Sequence, residues 1–387
     1  MAENIAKLSF WGVRGSTPSA DRTTWRYGGN TPCLELITPD QGRLILDCGT
    51  GLRMLGNSWA TEAEQTGRSI EADVLVTHYH WDHIQGIPFF APLYSPRNAF
   101  RFHSFRSEFV GPESLKRVFE AQMAHPYFPV NLSAMSAHRE FTELAGGDSF
   151  NAGDTRITAR WLNHPQGCLG FRFETPAGVI AYATDNEPGV PEFDQALIEL
   201  ADGADIFIND AQYTPEQLES RKGWGHSSWL ASIRTAKAAR VRHLVLFHHD
   251  PDSSDSAVDR ILRDARGQFE NVWIAAEGMV MSLGTKQVDI DFCTQRHLGS
   301  EPSLPVRVTG QTQDGKTFDE HTMIHDMGMR SATIDLAHAP KLQSALQVVM
   351  ETPAGETEKR RALRCYVVRL EPKPDNNEVS VGVVFVE

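Results

Sequence analysis

The segment His78-Tyr79-His80-Trp81-Asp82-His83 carries four potential metal ligands directly after the apolar run Val74-Leu75-Val76. Alternate residues of an extended backbone face the same side, so His78 and His80 are expected to point in one direction. The turn that follows would let Asp82 and His83 point toward a second ion. Imidazole and carboxylate ligands together suit Zn, Mn or Fe. The segment therefore predicts a metal centre at the end of a strand.

Three residues far along the chain extend this set of ligands. They are His164, Asp185 and His248, and each lies at or just beyond the end of a predicted strand. The ends of strands are where α/β sheets commonly carry their sites. Any one of the three alone would be interpreted as an ordinary surface or core residue. Together with the first segment they predict a shared metal site.

The first 290 residues show short apolar strands bounded by Gly, Pro, Asn and Asp, alternating later with helical segments, which predicts an α/β architecture. The predicted strands are residues 44–46, 74–77, 179–182, 206–208 and 243–247. Helices are predicted over residues 112–123 and 228–240, the second capped by Ser227 or Ser228. Residues 88–150 have an irregular, aromatic pattern, and we expect them either to wall a substrate pocket or simply to pack.

The sequence after Asp289 contains short strands and little helix, which predicts a small all-β barrel or sandwich. The predicted strands are residues 306–308, 322–324, 332–334, 346–350, 366–368 and 381–386. Gly299, Pro302 and Pro305 interrupt regular structure near the change. We therefore predict one domain over residues 1–290 and a β-barrel domain over residues 303–387.

The composition of the 387-residue chain, with 41% hydrophobic and 22% charged residues, is typical of a folded soluble protein. No apolar run approaches the roughly 20 residues that span a bilayer. Residues 1–7 lack a basic flank followed by an apolar stretch, so we expect a cytoplasmic protein without a secretory leader. The five cysteines are scattered and form no CxxC pair, which predicts buried free thiols.

The net charge of −13 argues against a partner that is a long nucleic acid, because such partners usually require a basic patch. The only dense basic run is Lys359-Arg360-Arg361, with Arg364 nearby. We interpret this run as a solvated strand end.

An HxHxDH segment followed by a distant His, Asp and His resembles the metallo-β-lactamase superfamily, whose members are hydrolases with an αβ/βα sandwich fold. The resemblance implies two divalent metal ions, zinc first, with Mn or Fe as alternatives. It implies that the first ion is bound by His78, His80 and His164, and the second by Asp82, His83 and His248, with Asp185 bridging. His249 is the alternative to His248, which we prefer because it directly ends an apolar run. Two ions about 3.5 to 4 Å apart can hold a hydroxide at neutral pH, which Asp82 would help to orient.

Asp210 and His226 indicate a branch of the superfamily, since a carboxylate can orient and charge an imidazole for proton donation. Their order, spacing and flanking sequence resemble the branch of ribonuclease Z and related cyclic phosphodiesterases, which implies a catalytic role. A strand-end cap and a helix-start residue are the alternative interpretations. The first loops, residues 10–18 and 26–31, resemble the same branch, and Arg14 and Asn30 there are expected either to contact a phosphate or to serve structure.

The chain departs from ribonuclease Z in having no Gly/Pro-rich basic insertion that could clamp tRNA. We therefore predict a small phosphodiester substrate, such as a cyclic nucleotide, cleaved by a metal-bridged hydroxide. One alternative is a metallo-hydrolase of an acyl bond in a lactone, thioester or β-lactam-like compound. Another is a signalling module in which the C-terminal barrel binds a nucleotide or a partner.

The C-terminal domain resembles PilZ-type barrels in part. Gly382-Val383-Val384-Phe385 fits their closing strand, whereas residues 326–331 have the small residues of the D/NxSxxG motif changed. No RxxxR stretch lies near Arg296 or Arg307. We therefore expect a degenerate barrel used for docking, dimerisation or regulation, with a homodimer as one such assembly, and no binding of cyclic di-GMP.

Overall fold

A computed structural model describes residues 4–284, 287–291, 304–325, 331–341, 344–350, 362–372 and 378–386. Contacts divide the chain into two compact units, Met1–Glu277 with Leu283–Val288, and Gly278–Ser282 with Asp289–Glu387. Among the described helices, none has the length and hydrophobicity needed to cross a membrane.

Two mixed β-sheets are formed by the strands that precede the barrel in the chain. The strands up to residue 291 are β1 Ala6–Gly12, β2 Cys33–Ile37, β3 Arg43–Leu46, β4 Glu71–Leu75, β5 Ala99–Phe105, β6 His138–Leu144, β7 Ser149–Ala152, β8 Thr155–Leu162, β9 Cys168–Thr175, β10 Gly178–Ala183, β11 Ile206–Asp210, β12 His243–Phe247, β13 Val272–Ile274, β14 Val280–Gly284 and β15 Gln287–Asp291. The strand order is β15-β14-β1-β2-β3-β4-β5-β6 in one sheet and β13-β12-β11-β10-β9-β8-β7 in the other.

Each sheet begins as an antiparallel meander and continues as parallel strands. The meanders are β1-β2-β3 and β7-β8-β9-β10, and the parallel runs are β3 to β6 and β10 to β13. The inner faces of the sheets meet where the rings of Phe10 and Phe247 lie 6.3 Å apart. Parallel runs direct the C-terminal ends of several strands to the same edge, which positions the site described below.

Helices cover the outer face of each sheet. They are α1 Gly51–Thr66, α2 Trp81–Ile84, α3 Ser114–Gln122, α4 Pro191–Ala201, α5 Pro215–Ser220, α6 Trp229–Ala238 and α7 Asp255–Arg266. Helix α1 packs against β1 and β2, and α4 and α6 pack against strands of the second sheet. In α1 the buried Leu52, Leu55 and Trp59 recur at helical spacing, and each such side chain contributes about 1.5–3 kcal/mol on burial. The predicted αβ/βα sandwich is confirmed.

The second unit contains a closed antiparallel barrel. Its strands are β16 Leu304–Gln311, β17 Thr317–His325, β18 Ser331–Leu336, β19 Ala345–Met350, β20 Ala362–Pro372 and β21 Val379–Val386. They close in the order β16-β17-β18-β21-β20-β19. Alternate residues such as Val306 and Val308 are buried inside it. All six predicted strands lie in this barrel, so the prediction of a small all-β barrel is confirmed.

Several features named from the sequence lie outside the described residues, and the structure says nothing of them. They are residues 326–330 of the changed PilZ motif, the basic run 359–361, Arg296, Gly299, Pro302 and Cys293. The other four cysteines are buried and free.

The prediction that residues 88–150 are irregular is wrong at the strands of this stretch, and the helix predicted over residues 112–123 is present as α3. The stretch contains β5, α3, β6 and the start of β7. The rings of Phe100 and Phe102 are buried in a core of edge-to-face contacts with Phe90 and Phe119. Some of these aromatic residues therefore pack a core, whereas Phe89, Tyr94, Phe109 and Tyr127 stay exposed.

The second predicted helix also agrees with the structure. It is α6, capped by Ser228, whose hydroxyl accepts a hydrogen bond from the amide of Ala231 at 3.3 Å.

Candidate metal centre

The predicted ligands meet where the strands of both sheets end. His78 to His83 follow β4, His164 follows β8, Asp185 follows β10 and His248 follows β12. Asp185 and His248 have positive φ values of 53° and 62°. Such left-handed backbone costs energy for residues other than glycine and is concentrated at functional sites.

One histidine cluster consists of His78, His80 and His164. One ring nitrogen of each lies within 4.8 Å of the others. Nε2 of His164 is 3.1 Å from Nδ1 of His80. Three imidazoles this close, in a mostly buried setting, form a ligand set suited to a transition metal.

A second cluster consists of Asp82, His83, Asp185 and His248, all buried. Oδ2 of Asp82 lies 3.3 Å from Nε2 of His83 and 3.2 Å from Nε2 of His248. The backbone amide of Ser16 also donates to this oxygen at 2.8 Å, which fixes the carboxylate in place.

Asp185 lies between the two clusters, and each of its carboxylate oxygens faces a different cluster. Its Oδ1 is 3.8 Å from Nε2 of His78 and 4.0 Å from Nε2 of His164. Its Oδ2 is 3.3 Å from Nε2 of both His83 and His248. A carboxylate whose two oxygens face different clusters is the arrangement expected of a residue that bridges two cations.

The second ring nitrogen of every histidine in the two clusters faces a hydrogen-bond acceptor. The pairs are His78 with the Thr77 hydroxyl at 3.0 Å, His80 with Gln166 Oε1 at 3.0 Å, His83 with Asp47 Oδ2 at 3.0 Å, His164 with the Gly225 carbonyl at 2.8 Å and His248 with Gln212 Oε1 at 2.9 Å. The Thr77 hydroxyl itself donates to Asp47, so it accepts from His78.

For His78, His80, His164 and His248 these contacts suit a proton on the outward nitrogen, which leaves the lone pair of the inward nitrogen directed at the cluster. Converging lone pairs beside two carboxylates fit cations. In agreement, Nε2 of His78 and both ring nitrogens of His83 are buried and form no hydrogen bond within the described protein. The residues therefore fit divalent metal ions.

Burial and the short distances between the cluster residues also shift the pKa values of their side chains. Burial lowers the pKa of His78 well below its ordinary value and lowers that of His164 to about 4. Burial alone would raise the pKa of Asp185, but the neighbouring His248 and His83 hold it well below the ordinary value. Burial alone would lower the pKa of His83, but the carboxylates of Asp82 and Asp185 raise it well above the ordinary value. Neutral imidazoles and ionised carboxylates are the forms that bind metal, so binding at His83 would release a proton.

Asp210 and His226 lie beside the clusters and contact each other. Asp210 ends β11, and its Oδ2 accepts a hydrogen bond from Nδ1 of His226 at 2.9 Å. Nδ1 of His226 is also 3.6 Å from Oδ1 of Asp185. Burial alone would lower the pKa of His226, but the charge and hydrogen bond of Asp210 raise it to about 9. The pair therefore holds an oriented imidazole at the edge of the metal site.

A family model described as "Beta-lactamase superfamily domain" matches residues 42–249, which include every residue of both clusters. The chain belongs to this superfamily. Ribonuclease BN of Erwinia tasmaniensis is 23% identical over 313 residues, which cover 69% of this chain and 97% of that protein. Ribonuclease Z of an Exiguobacterium species is 26% identical over 286 residues, which cover 62% of this chain and 88% of that protein.

The superfamily fold is also found in a solved structure, the metallo-beta-lactamase fold protein YhfI from Bacillus subtilis. It superposes with a TM-score of 0.54 at 20% identity and covers 72% of this chain and 100% of that one. Membership of the superfamily and the ribonuclease relatives confirm the predicted enzyme class, a metal-dependent hydrolase.

Within the superfamily site the structure separates the two candidate last histidines. His248 is in the second cluster, whereas Nε2 of His249 donates to the carbonyl of Ala275 at 2.8 Å. Burial lowers the pKa of His249 to about 3. His249 therefore packs outside the cluster.

Arg14 and Asn30, considered as phosphate contacts, bind the protein itself. The guanidinium of Arg14 is fully buried and donates to the carbonyls of Gly28, Asp250 and Ser253 at 2.9–3.1 Å. The amide of Asn30 donates to Glu277 at 3.0 Å. For both residues the structural interpretation agrees with the contacts.

The sequence analysis did not identify several residues that contact the histidines of the clusters and fix their orientation. Asp47 directly follows β3, has a φ of 61° and accepts hydrogen bonds from Thr77 and Tyr182 as well as facing His83. Its place after an apolar strand was the one clue in the sequence. Gly225 could not carry a side chain, because a Cβ there would lie 2.2 Å from Nδ1 of His164.

Proposed function

We propose that the protein is a dinuclear metal-dependent phosphodiesterase that hydrolyses a small phosphodiester. The observation that carries this proposal is the contact of His226 with Asp210 at 2.9 Å and with Asp185 at 3.6 Å. Cleavage of a phosphodiester releases an alkoxide, which needs a proton. An imidazole oriented by a carboxylate beside the metal site is suited to supply it.

The metal ligands in this proposal are those that the two clusters bring together. We infer two divalent ions, with zinc first and Mn or Fe as alternatives, held by His78, His80 and His164 and by Asp82, His83 and His248, with Asp185 between them. Bound ions of this kind lower the pKa of water and polarise the phosphoryl group.

Side chains of the protein carry out the remaining steps. Asp82, fixed by the amide of Ser16 at 2.8 Å, is placed to orient the attacking water. His226, with Nδ1 committed to Asp210, would donate a proton from Nε2 to the leaving oxygen. The proposed hydrolase domain is residues 1–290, and for the barrel at residues 303–387 we propose a role in docking, dimerisation or regulation.

Two further observations support the choice of substrate. Two relatives are named as ribonucleases, which are phosphodiester-cleaving enzymes. The net charge of −13 favours a small diester over long RNA, because long nucleic acids are gripped by basic surfaces. A cyclic nucleotide is the first such substrate to test.

The experiment combines metal analysis of the purified protein with a substrate screen. The screen contains cyclic mononucleotides, cyclic dinucleotides, a bis-aryl phosphodiester and a precursor tRNA. We expect about two equivalents of metal per chain and turnover of at least one small diester, abolished by a chelator and restored by metal. Cleavage of precursor tRNA alone would contradict the small substrate, and a metal-free protein without diesterase activity would contradict the whole proposal.

A further inference from the structure

Two tryptophans at the metal site remain exposed to solvent. Trp81 and Trp224, with 68% and 61% of their surface exposed, are the most exposed of the eight tryptophans of the chain. An indole gains much from burial, so large exposed aromatic side chains are common where a partner or ligand covers them.

Trp81 is held at the edge of the first histidine cluster by its position in the chain. It lies between the ligands His80 and Asp82 and begins helix α2. Its carbonyl accepts a hydrogen bond from the amide of Gln85 at 2.9 Å. The backbone of Trp81 is therefore fixed with that of the metal ligands, while its side chain is exposed.

Trp224 lies in a loop that is anchored from both sides. The amides of Gly223 and Gly225 donate to the carboxylate of Glu187 at 2.8 Å. Both glycines have left-handed φ values, 87° and 84°, which few other residues would adopt. The carbonyl of Gly225 in turn accepts from Nδ1 of His164. The loop thus presents an exposed indole at a fixed place beside the same cluster.

A cation lies next to this loop. The guanidinium of Arg221 is 4.7 Å from the ring centre of Tyr213 and 6.0 Å from that of Trp224. It is 3.7 Å from Asp250 and its side chain is 31% exposed. An aromatic ring beside a cation suits a ligand that is both planar and anionic.

The backbones of the two tryptophans are linked through the cluster itself. Trp81 is bonded to His80, and Trp224 is bonded to Gly225, which contacts His164; the two histidines are 3.1 Å apart. We propose that Trp81 and Trp224 are binding residues that stack on a nucleobase, so that the diester placed at the histidines is part of a nucleotide. This inference rests on the proposed phosphodiesterase function. Stacking on aromatic side chains is a general way to bind bases, because every base has a π-face.

The test compares Trp81→Ala and Trp224→Ala with the matched variants Trp81→Phe and Trp224→Phe, which keep an aromatic face. The substrates are a cyclic mononucleotide and a glycerol phosphodiester that lacks a base. We expect each alanine variant to raise KM for the nucleotide at least about fivefold with little change in kcat. The phenylalanine variants should keep a KM for the nucleotide close to that of wild type. The KM for the glycerol diester should stay close to wild type in every variant.

Binding of adenosine monophosphate and of ribose phosphate, measured by calorimetry on the metal-loaded protein, gives a readout that does not depend on turnover. We expect the alanine variants to weaken binding of the first and not of the second. Equal nucleotide binding by wild type and alanine variants, or equal loss for both ligands, would overturn the stacking role. If wild type cleaves no phosphodiester, the proposed function fails, and the calorimetry still decides whether the indoles bind a base.

Discussion

Asp210 holds the imidazole of His226 through a hydrogen bond of 2.9 Å from Nδ1 of the histidine to Oδ2 of the carboxylate. The same carboxylate accepts hydrogen bonds through Oδ1 from the amides of Gln212 and Ser227 at 3.0 and 2.9 Å. The carboxylate is thus fixed by the backbone, and it fixes the imidazole in turn. Proton donation by His226 is therefore the step most open to direct test.

His226→Ala should lower kcat about 10²- to 10⁴-fold for diesters with alkyl leaving groups, because their alkoxides need a proton as they leave. The loss should be much smaller for a p-nitrophenyl leaving group, which departs without one. Steady-state kinetics over a series of leaving groups measures this difference. Metal content should stay at the wild-type level, and a loss of equal size for all leaving groups would contradict the role of proton donor.

Asp185→Asn should weaken metal binding, because the substitution removes the negative charge and replaces the oxygen that faces one of the clusters with an amide nitrogen that cannot serve as a ligand. We expect metal affinity to fall by more than about 100-fold and hydrolysis to fall with it. Competition with a chromophoric chelator measures the affinity. Asp202→Asn is the matched control, since Asp202 is half exposed and pairs with Arg240 at the surface. Full metal binding by Asp185→Asn would show that Asp185 does not bridge.

Arg14→Lys should destabilise the fold and not weaken substrate binding. A lysine offers one compact ammonium group, which cannot reach the carbonyls of Gly28, Asp250 and Ser253 together. We expect a loss of about 2–4 kcal/mol in the free energy of unfolding, measured by urea denaturation. Arg53→Lys, on the exposed face of α1, should change little. Unchanged stability with a raised KM would instead favour a phosphate contact.

The buried carboxyl group of Glu35 should make the free energy of unfolding depend on pH. Burial raises the pKa of its carboxyl, an effect only partly offset by hydrogen bonds from the indoles of Trp59 and Trp11. The folded protein therefore holds the proton to higher pH than the unfolded chain, so stability is greatest below the ordinary glutamate pKa and falls as pH rises through the raised one.

Glu35→Gln should remove this fall, so that the variant gains stability relative to wild type as pH rises from acid to neutral. Urea denaturation at a series of pH values measures the free energy of unfolding of both proteins. Glu64→Gln, which removes an exposed carboxylate elsewhere on helix α1, should leave the dependence unchanged. Parallel curves for wild type and Glu35→Gln would contradict the raised pKa.

The sequence predicted the residues of the two clusters because their positions are local or follow from strand ends. His78 to His83 are contiguous, and Asp185 and His248 follow apolar strands whose parallel arrangement brings their ends together. The residues that hold the ligands were not predictable in this way. Gln212 and Gly225 reach their histidines only through the folded arrangement of separate loops.

In two places the sequence left alternatives open for physical reasons. Strands β5 and β6 lie in a stretch whose many aromatic residues suggested a pocket wall, yet Phe100 and Phe102 alternate with Arg101 as a strand packed on one face requires. Arg14 lies in a loop beside the site, where a cation suggests phosphate binding. Its burial against backbone carbonyls depends on residues 250–253, far away in the chain.

The most direct test of the phosphodiesterase proposal uses two substrates with one chromophore. A nucleoside p-nitrophenyl phosphodiester and a p-nitrophenyl acyl ester are hydrolysed by the same metal-loaded protein, and release of nitrophenolate is measured for each. If the two clusters hold metal ions that would polarise a phosphoryl group, the proposal predicts metal-dependent turnover of the diester and only background cleavage of the ester. Efficient cleavage of the ester without cleavage of the diester would contradict the proposal.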